Sequence, residues 1–101
     1  MIKIVVCGAA GKMGKMLISR ILADSELVLS GAIEWREHHA VGQQIDAINI
    51  TDNFSEALEL SDVAIDFTNM DATLYHLDIA RKQKKAIIIG TTGITDEGIK
   101  R

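Results

Sequence analysis

The chain has 101 residues, 48% of them hydrophobic and 25% charged, with a net charge of −3 and no proline. That length allows one domain with a modest core, and the composition excludes a disordered or collagen-like chain. The acidic balance argues against a nucleic-acid partner, the first apolar run is too short for a signal or membrane segment, and the single cysteine, Cys7, cannot form an internal disulfide; together these predict a cytoplasmic protein with no membrane partner.

Residues 2–7 are apolar nearly throughout, as expected of a central parallel strand covered on both faces. They run into Gly8-Ala9-Ala10-Gly11-Lys12-Met13-Gly14. Three glycines between a strand and a helix have separate uses. Gly8 permits a tight turn, Gly11 a close approach of backbone to ligand, and Gly14 a close seat of the helix on the sheet. The helix start then offers free N–H groups and the positive end of its dipole to an anion, typically a pyrophosphate. The general fingerprint is G-x-G-x-x-G; here Ala10 holds the place of the second glycine and the spacing is G-x-x-G-x-x-G, one residue longer. A glycine-rich turn without a ligand is the alternative reading.

From Lys12 to Ala23 the apolar residues Met13, Leu17, Ile18, Ile21 and Leu22 recur at helical spacing. Residues 27–33 form the second strand, completing a parallel βαβ unit. Glu34 closes that strand, 20 positions after Gly14, where an acidic residue meets the adenosine ribose hydroxyls in a dinucleotide fold. Arg36 could hold a 2′-phosphate and Trp35 could stack on adenine. These residues do not separate NAD from NADP.

Residues 37–44 are polar and read as a mobile loop. His38-His39 has no further donor at a ligand-set spacing, so both are expected to be solvated and no metal site is assigned. Residues 47–50 are a short third strand. Asn53 with Glu56 forms a capping box for a helix over 54–60. Residues 63–67 make the fourth strand, ending in Asp66-Phe67-Thr68 at the edge where ligands bind in such folds. Asp66 is read as either functional or a pin for the neighbouring turn. Thr68 or Asn69 caps a helix over 70–84, with Met70, Leu74, Leu77 and Ala80 on its inner face and His76 half-buried. The basic run Arg81-Lys82-Gln83-Lys84-Lys85 suits a helix C-terminus. Residues 86–89 are the fifth strand, leading to Gly90-Thr91-Thr92-Gly93, which suits a backbone approach to a flat ring such as nicotinamide. The expected architecture is a Rossmann-like doubly wound α/β domain over residues 1–101, with a parallel sheet in the order 3-2-1-4-5.

The loop Val5-Val6-Cys7-Gly8-Ala9-Ala10-Gly11-Lys12-Met13-Gly14, with Ile65-Asp66-Phe67-Thr68, Thr73-Leu74-Tyr75-His76-Leu77 and Gly90-Thr91-Thr92-Gly93, resembles the N-terminal domain of the dihydrodipicolinate reductases, and the resemblance covers the whole chain. The longer glycine loop is that family's own form. The resemblance implies an NAD(P)H-dependent reductase of lysine and diaminopimelate biosynthesis, a homotetramer when complete. It implies cofactor contacts from Gly8, Ala9, Ala10, Gly11, Lys12 and Met13, from Glu34 to the adenosine ribose, and from Gly90, Thr91 and Thr92 near the nicotinamide. Many members carry a basic residue directly after the acid; here Trp35 stands there and Arg36 follows. The family's catalytic His-His and Lys signature belongs to a second, substrate domain and does not occur in these residues, so no catalytic residue is assigned, and His38-His39 matches only the doublet. This piece alone is expected to bind cofactor weakly, to leave its fifth strand as an open edge, and to turn nothing over. The alternative is a free-standing, non-catalytic nucleotide-binding or regulatory module.

Overall fold

The structure, a computed structural model, describes residues 1–90. In chain order the elements are β1 (Ile2–Cys7), α1 (Lys12–Ala23), β2 (Leu27–Ile33), β3 (Gln44–Ile45), β4 (Ile48–Thr51), α2 (Phe54–Glu59), β5 (Val63–Asp66), α3 (Met70–Gln83) and β6 (Ala86–Ile89). The sheet order is β3-β4-β2-β1-β5-β6. All pairings are parallel except β3 with β4. The five parallel strands therefore stand in the expected order. The additional strand, β3, two residues long, pairs back on β4 through Asp46-Ala47, with Asp46 at φ 55°, a conformation aspartate tolerates better than most residues.

The β1 side chains divide between two cores by the strand's two-residue period. Ile4 and Val6 join Ile18 and Ile21 of α1 on one face. Val5 and Cys7 join Phe54, Ala57 and Leu58 of α2 and Ala80 of α3 on the other. In β2 the pairing slips by one residue, Ile4 facing Leu29 and Val5 facing Gly31. The bulge at Ser30 is what puts Leu29 and Ala32, three residues apart, into the same core. The displaced Ser30 hydroxyl is satisfied by that of Ser61, 2.5 Å away.

Several expected boundaries and faces change. The strand read over 47–50 is shifted by one residue, because Ala47 lies in the turn after Asp46. Met13 and Leu22 of α1 are exposed; the buried stripe is Gly14, Ile18 and Ile21. The inner face of α3 is Thr73, His76 and Ala80, whereas Leu74 and Leu77 are exposed at 55% and 39%. Polar groups occupy that face because a buried carboxylate on β5 needs donors. Asn69, not Thr68, caps α3, its Oδ1 accepting from Ala72 N–H at 2.9 Å. The capping box of α2 is half formed. Asn53 Oδ1 accepts from Glu56 N–H, while the Asn53 N–H donates to Thr51 Oγ1 instead of the Glu56 carboxylate. Residues 37–43 run as hydrogen-bonded turns that bury Ala40. Among the described residues β6 is an edge of the sheet, and its Ile88 and Ile89 are exposed.

Candidate functional site

The carboxyl ends of β1, β2 and β5 meet at one edge of the sheet, and the glycine-rich turn lies there. Gly8 has φ +83°, a left-handed backbone that a side chain would strain, and a Cβ on it would lie 3.0 Å from the Phe67 carbonyl. A Cβ on Gly14 would lie 2.1 Å from the Gly8 carbonyl oxygen, so the first turn of α1 sits directly against the bend. The turn secures itself through its early amides. Gly8 and Ala9 N–H donate to the Ile33 carbonyl at 2.9 and 3.1 Å, and Gly11 N–H donates to the Gly8 carbonyl. Ala10 N–H donates to Glu34 Oε2 at 2.8 Å.

The amides of Lys12, Met13 and Gly14 are the ones left over. They belong to the first helical turn, whose N–H groups have no intrahelical acceptor, and Gly11 at the N-cap supplies no side chain. A hollow of about 340 Å³ lies in front of them, lined by Gly8, Gly11, Lys12, Met13, Gly14 and Phe67. Such a geometry, main-chain amides at the positive end of a helix dipole, suits an anion.

Beyond it lies a larger cavity of about 720 Å³. Glu34, Trp35 and Arg36 form one wall, and Asn69, Ala72, Tyr75 and His76 of the β5–α3 side form the other. Glu34 is 7% exposed, and its second carboxylate oxygen has no hydrogen-bond partner among the described residues. It can brace the loop and still accept from a ligand. Trp35 is 59% exposed, with its ring edge-on to His38 at 5.8 Å. Arg36 stands in solvent, 3.9 Å from Asp52, an exposed pair of small energetic weight. His38 and His39 stack on each other at 4.6 Å, and His38 Nδ1 accepts from Ala40 N–H. The structure thus brings together Gly8, Gly11, Lys12, Met13, Glu34, Trp35 and Arg36, whereas Ala9 and Ala10 act as braces of the bend. Gly90 lies across Phe67, donating to the Asp66 carbonyl at 2.8 Å. Thr91 and Thr92 fall outside the described residues.

The residues that sequence reasoning placed least well are Asp66 and His76. Asp66 is fully buried at the end of β5. Its Oδ1 accepts from the Thr68 N–H at 2.8 Å and from the Thr68 hydroxyl, and its Oδ2 lies 2.8 Å from His76 Nδ1. Burial works to raise its pKa, but the hydrogen bonds from His76 and Thr68 and the charge of His76 outweigh it, so the carboxyl is held below the ordinary carboxylate range. Cys7 is close by, its sulfur and the nearest Asp66 and His76 ligand atoms lying within 4.8 Å of one another. Burial, then the negative charges of Asp66 and Glu34, push that thiol well up in pKa. A protonated thiol beside a carboxylate already hydrogen-bonded to the imidazole is a poor donor set for a metal. The signal available in the sequence was the pair Asp66 and His76, ten positions apart, one at a strand end and one on the next helix.

No described helix is long and apolar enough to cross a membrane. Comparison with known proteins agrees with the geometry. A family model described as "Dihydrodipicolinate reductase, N-terminus" matches residues 2–101. The 4-hydroxy-tetrahydrodipicolinate reductase of Ralstonia pickettii is 41% identical over 102 residues, covering 94% of this chain and 39% of that protein. The reductase of the same name from Geotalea uraniireducens is 41% identical over 105 residues, covering 96% of this chain and 39% of its own length. A solved dihydrodipicolinate reductase with dipicolinate bound, from Paenisporosarcina sp. TG-14, superposes with a TM-score of 0.78 at 20% identity, over 99% of this chain and 41% of that one, a likeness of fold. The chain thus spans about two fifths of the length of the relatives it matches. With its glycine turn, its braced Glu34 and a family model that covers all but the first residue, the chain belongs to the dihydrodipicolinate reductase N-terminal family.

Proposed function

We propose that residues 1–101 are the NAD(P)H-binding domain of a 4-hydroxy-tetrahydrodipicolinate reductase in the lysine and diaminopimelate route, a cytoplasmic enzyme whose substrate domain lies in sequence beyond this chain. One observation carries the reading: the uncapped first turn of α1 opens into a hollow that shares Gly8, Gly11 and Phe67 with the larger cavity lined by Glu34. A diphosphate fits the Lys12, Met13 and Gly14 amides, and the unpartnered Glu34 oxygen fits a ribose hydroxyl. The cofactor supplies hydride from its nicotinamide ring. The protein's part here is to bind and orient: main-chain amides hold charge, Glu34 fixes the sugar, Trp35 offers a face for the base, and Phe67 with Gly90 shapes the far end.

Glu34 suits the free ribose diol of NADH. Arg36, whose ion-pair partner among the described residues is Asp52 at 3.9 Å, suits the 2′-phosphate of NADPH. The domain therefore accepts both, and Arg36 is the residue that separates them. Titration of the chain with NADH and NADPH, read through quenching of its only tryptophan, Trp35, tests this. Saturable binding of both is expected, with Arg36→Ala costing NADPH more than NADH. Absence of binding to either at millimolar concentration overturns the reading; equal losses remove the phosphate role.

A further inference from the structure

His76 has two ring nitrogens and only one is engaged. Nδ1 lies 2.8 Å from Asp66 Oδ2 in a buried pair. An ionised carboxylate only accepts, so Nδ1 carries a proton, and in the neutral imidazole Nε2 then presents a bare lone pair. Nε2 has no hydrogen-bond partner among the described residues, and the ring forms part of the wall of the larger cavity. Phe54, 4.4 Å away, and Tyr75, 5.8 Å away, fix the ring's tilt. Glu34 and Trp35 line the same cavity, and they are the groups that would grip the adenosine ribose and stack on its base. A rigid, oriented acceptor in the space beyond a sugar site is a base-reading device.

We propose that His76 determines base specificity: its Nε2 accepts a hydrogen bond from the 6-amino group of adenine and disfavours purines with a 6-oxo group. The proposal rests on the dinucleotide reading above. Two acceptors cannot share a proton that neither carries, so in the same pose a 6-oxo purine sets its oxygen against the Nε2 lone pair, and its N1–H donor reaches Nε2 only if the base shifts. Asp66 is then a positioning residue, because it sets which nitrogen of His76 is bare.

The test compares this chain's affinity for NADH with that for reduced nicotinamide hypoxanthine dinucleotide, which differ only at the base. NADH is expected to bind about tenfold tighter, the cost of one unmade hydrogen bond in a confined site. Asp66→Asn supplies a sharper readout. The amide oxygen stays where Oδ1 accepts from the Thr68 N–H and hydroxyl, which turns the amide NH₂ toward His76 Nδ1. Nδ1 must then accept, the proton moves to Nε2, and the preference should invert toward hypoxanthine. A merely structural role for the pair would weaken both ligands alike and leave the ratio unmoved. His76→Phe, which keeps a ring against Phe54, should bring the ratio close to one. Equal wild-type affinities overturn the base-reading role while leaving dinucleotide binding intact. Failure of both ligands to bind takes down the dinucleotide reading and this inference together. If Asp66→Asn does not fold, the wild-type ratio and its loss in His76→Phe decide.

Discussion

Two strand-to-helix turns stand side by side at the same edge of the sheet, and they solve the same problem in opposite ways. Both must satisfy the orphan amides at a helix start. The β5–α3 turn does so from within: Asp66 accepts from the Thr68 N–H, and Asn69 caps the Ala72 N–H. The β1–α1 turn braces its first four amides on Ile33, Glu34 and Gly8, then leaves the first helical turn without a side-chain cap. One turn contains its own anion. The other leaves its amides open to one from outside, as the proposed diphosphate site requires. The difference teaches that a missing cap, next to a turn where every other amide has a partner, is itself a functional signal.

The comparison breaks most severely at Asp66. Asp66→Ala removes the internal anion and leaves His76 and Thr68 without their acceptor, with an expected loss of about 3 kcal/mol in urea unfolding. The pH dependence follows from the same pair. The folded pKa of Asp66 lies below its unfolded value, so its stabilisation is complete above the unfolded pKa, about 3.9, and is lost as pH falls toward the folded one. Wild-type stability should therefore drop more steeply on acidification below pH 4 than that of Asp66→Asn. Parallel slopes in the two proteins would show that Asp66 is not the group responsible.

Next in size is Gly14→Ala. Its Cβ would sit 2.1 Å from the Gly8 carbonyl oxygen, a main-chain atom with little freedom to move. Overpacking of this kind costs about 2 kcal/mol and displaces the bend, so NADH affinity should fall with stability. An unchanged melting temperature would mean that α1 slides freely along the sheet.

Glu34→Gln separates the brace from the ligand contact. The amide oxygen can still accept from Ala10 N–H, so stability should change by less than about 0.5 kcal/mol. Affinity for NADH should fall about tenfold as the charged acceptor for the ribose is lost. A loss confined to stability would make Glu34 a structural strut alone.

How much of this could be read from the chain depends on the range of the interaction. The bend, its helix and Glu34 were legible because they depend on local spacing: glycines at fixed intervals and an acid at the end of the next strand. The order of the parallel strands was legible because continuous apolar runs alternate with helical patterns. The two-residue β3 was not, because Gln44-Ile45 is too short to show a two-residue period. The face of α3 was misread because hydrophobic periodicity counts Thr73 and His76 as outward, and only the tertiary placement of Asp66 turns them in. A buried carboxylate overrides the pattern of the helix that serves it, and that information lies in three dimensions.

The smallest expected change in stability is also the most diagnostic, because it should have the opposite sign from the change in affinity. Gly11 lies at φ −77°, a conformation open to any residue, and a Cβ there would meet only the Gly8 carbonyl at an ordinary 3.4 Å. Nothing in the fold of the free protein requires glycine at this position. Gly11→Asp would give the first turn of α1 the internal carboxylate that the β5–α3 turn already has, capping its amides and opposing the dipole. Stability should rise by about 0.5 kcal/mol. The new carboxylate would occupy the ground proposed for the diphosphate and repel it, so affinity for NADH should collapse. A gain in stability with binding retained would show that the anion sits elsewhere. Loss of both would show that Gly11 is needed by the fold and not by the ligand.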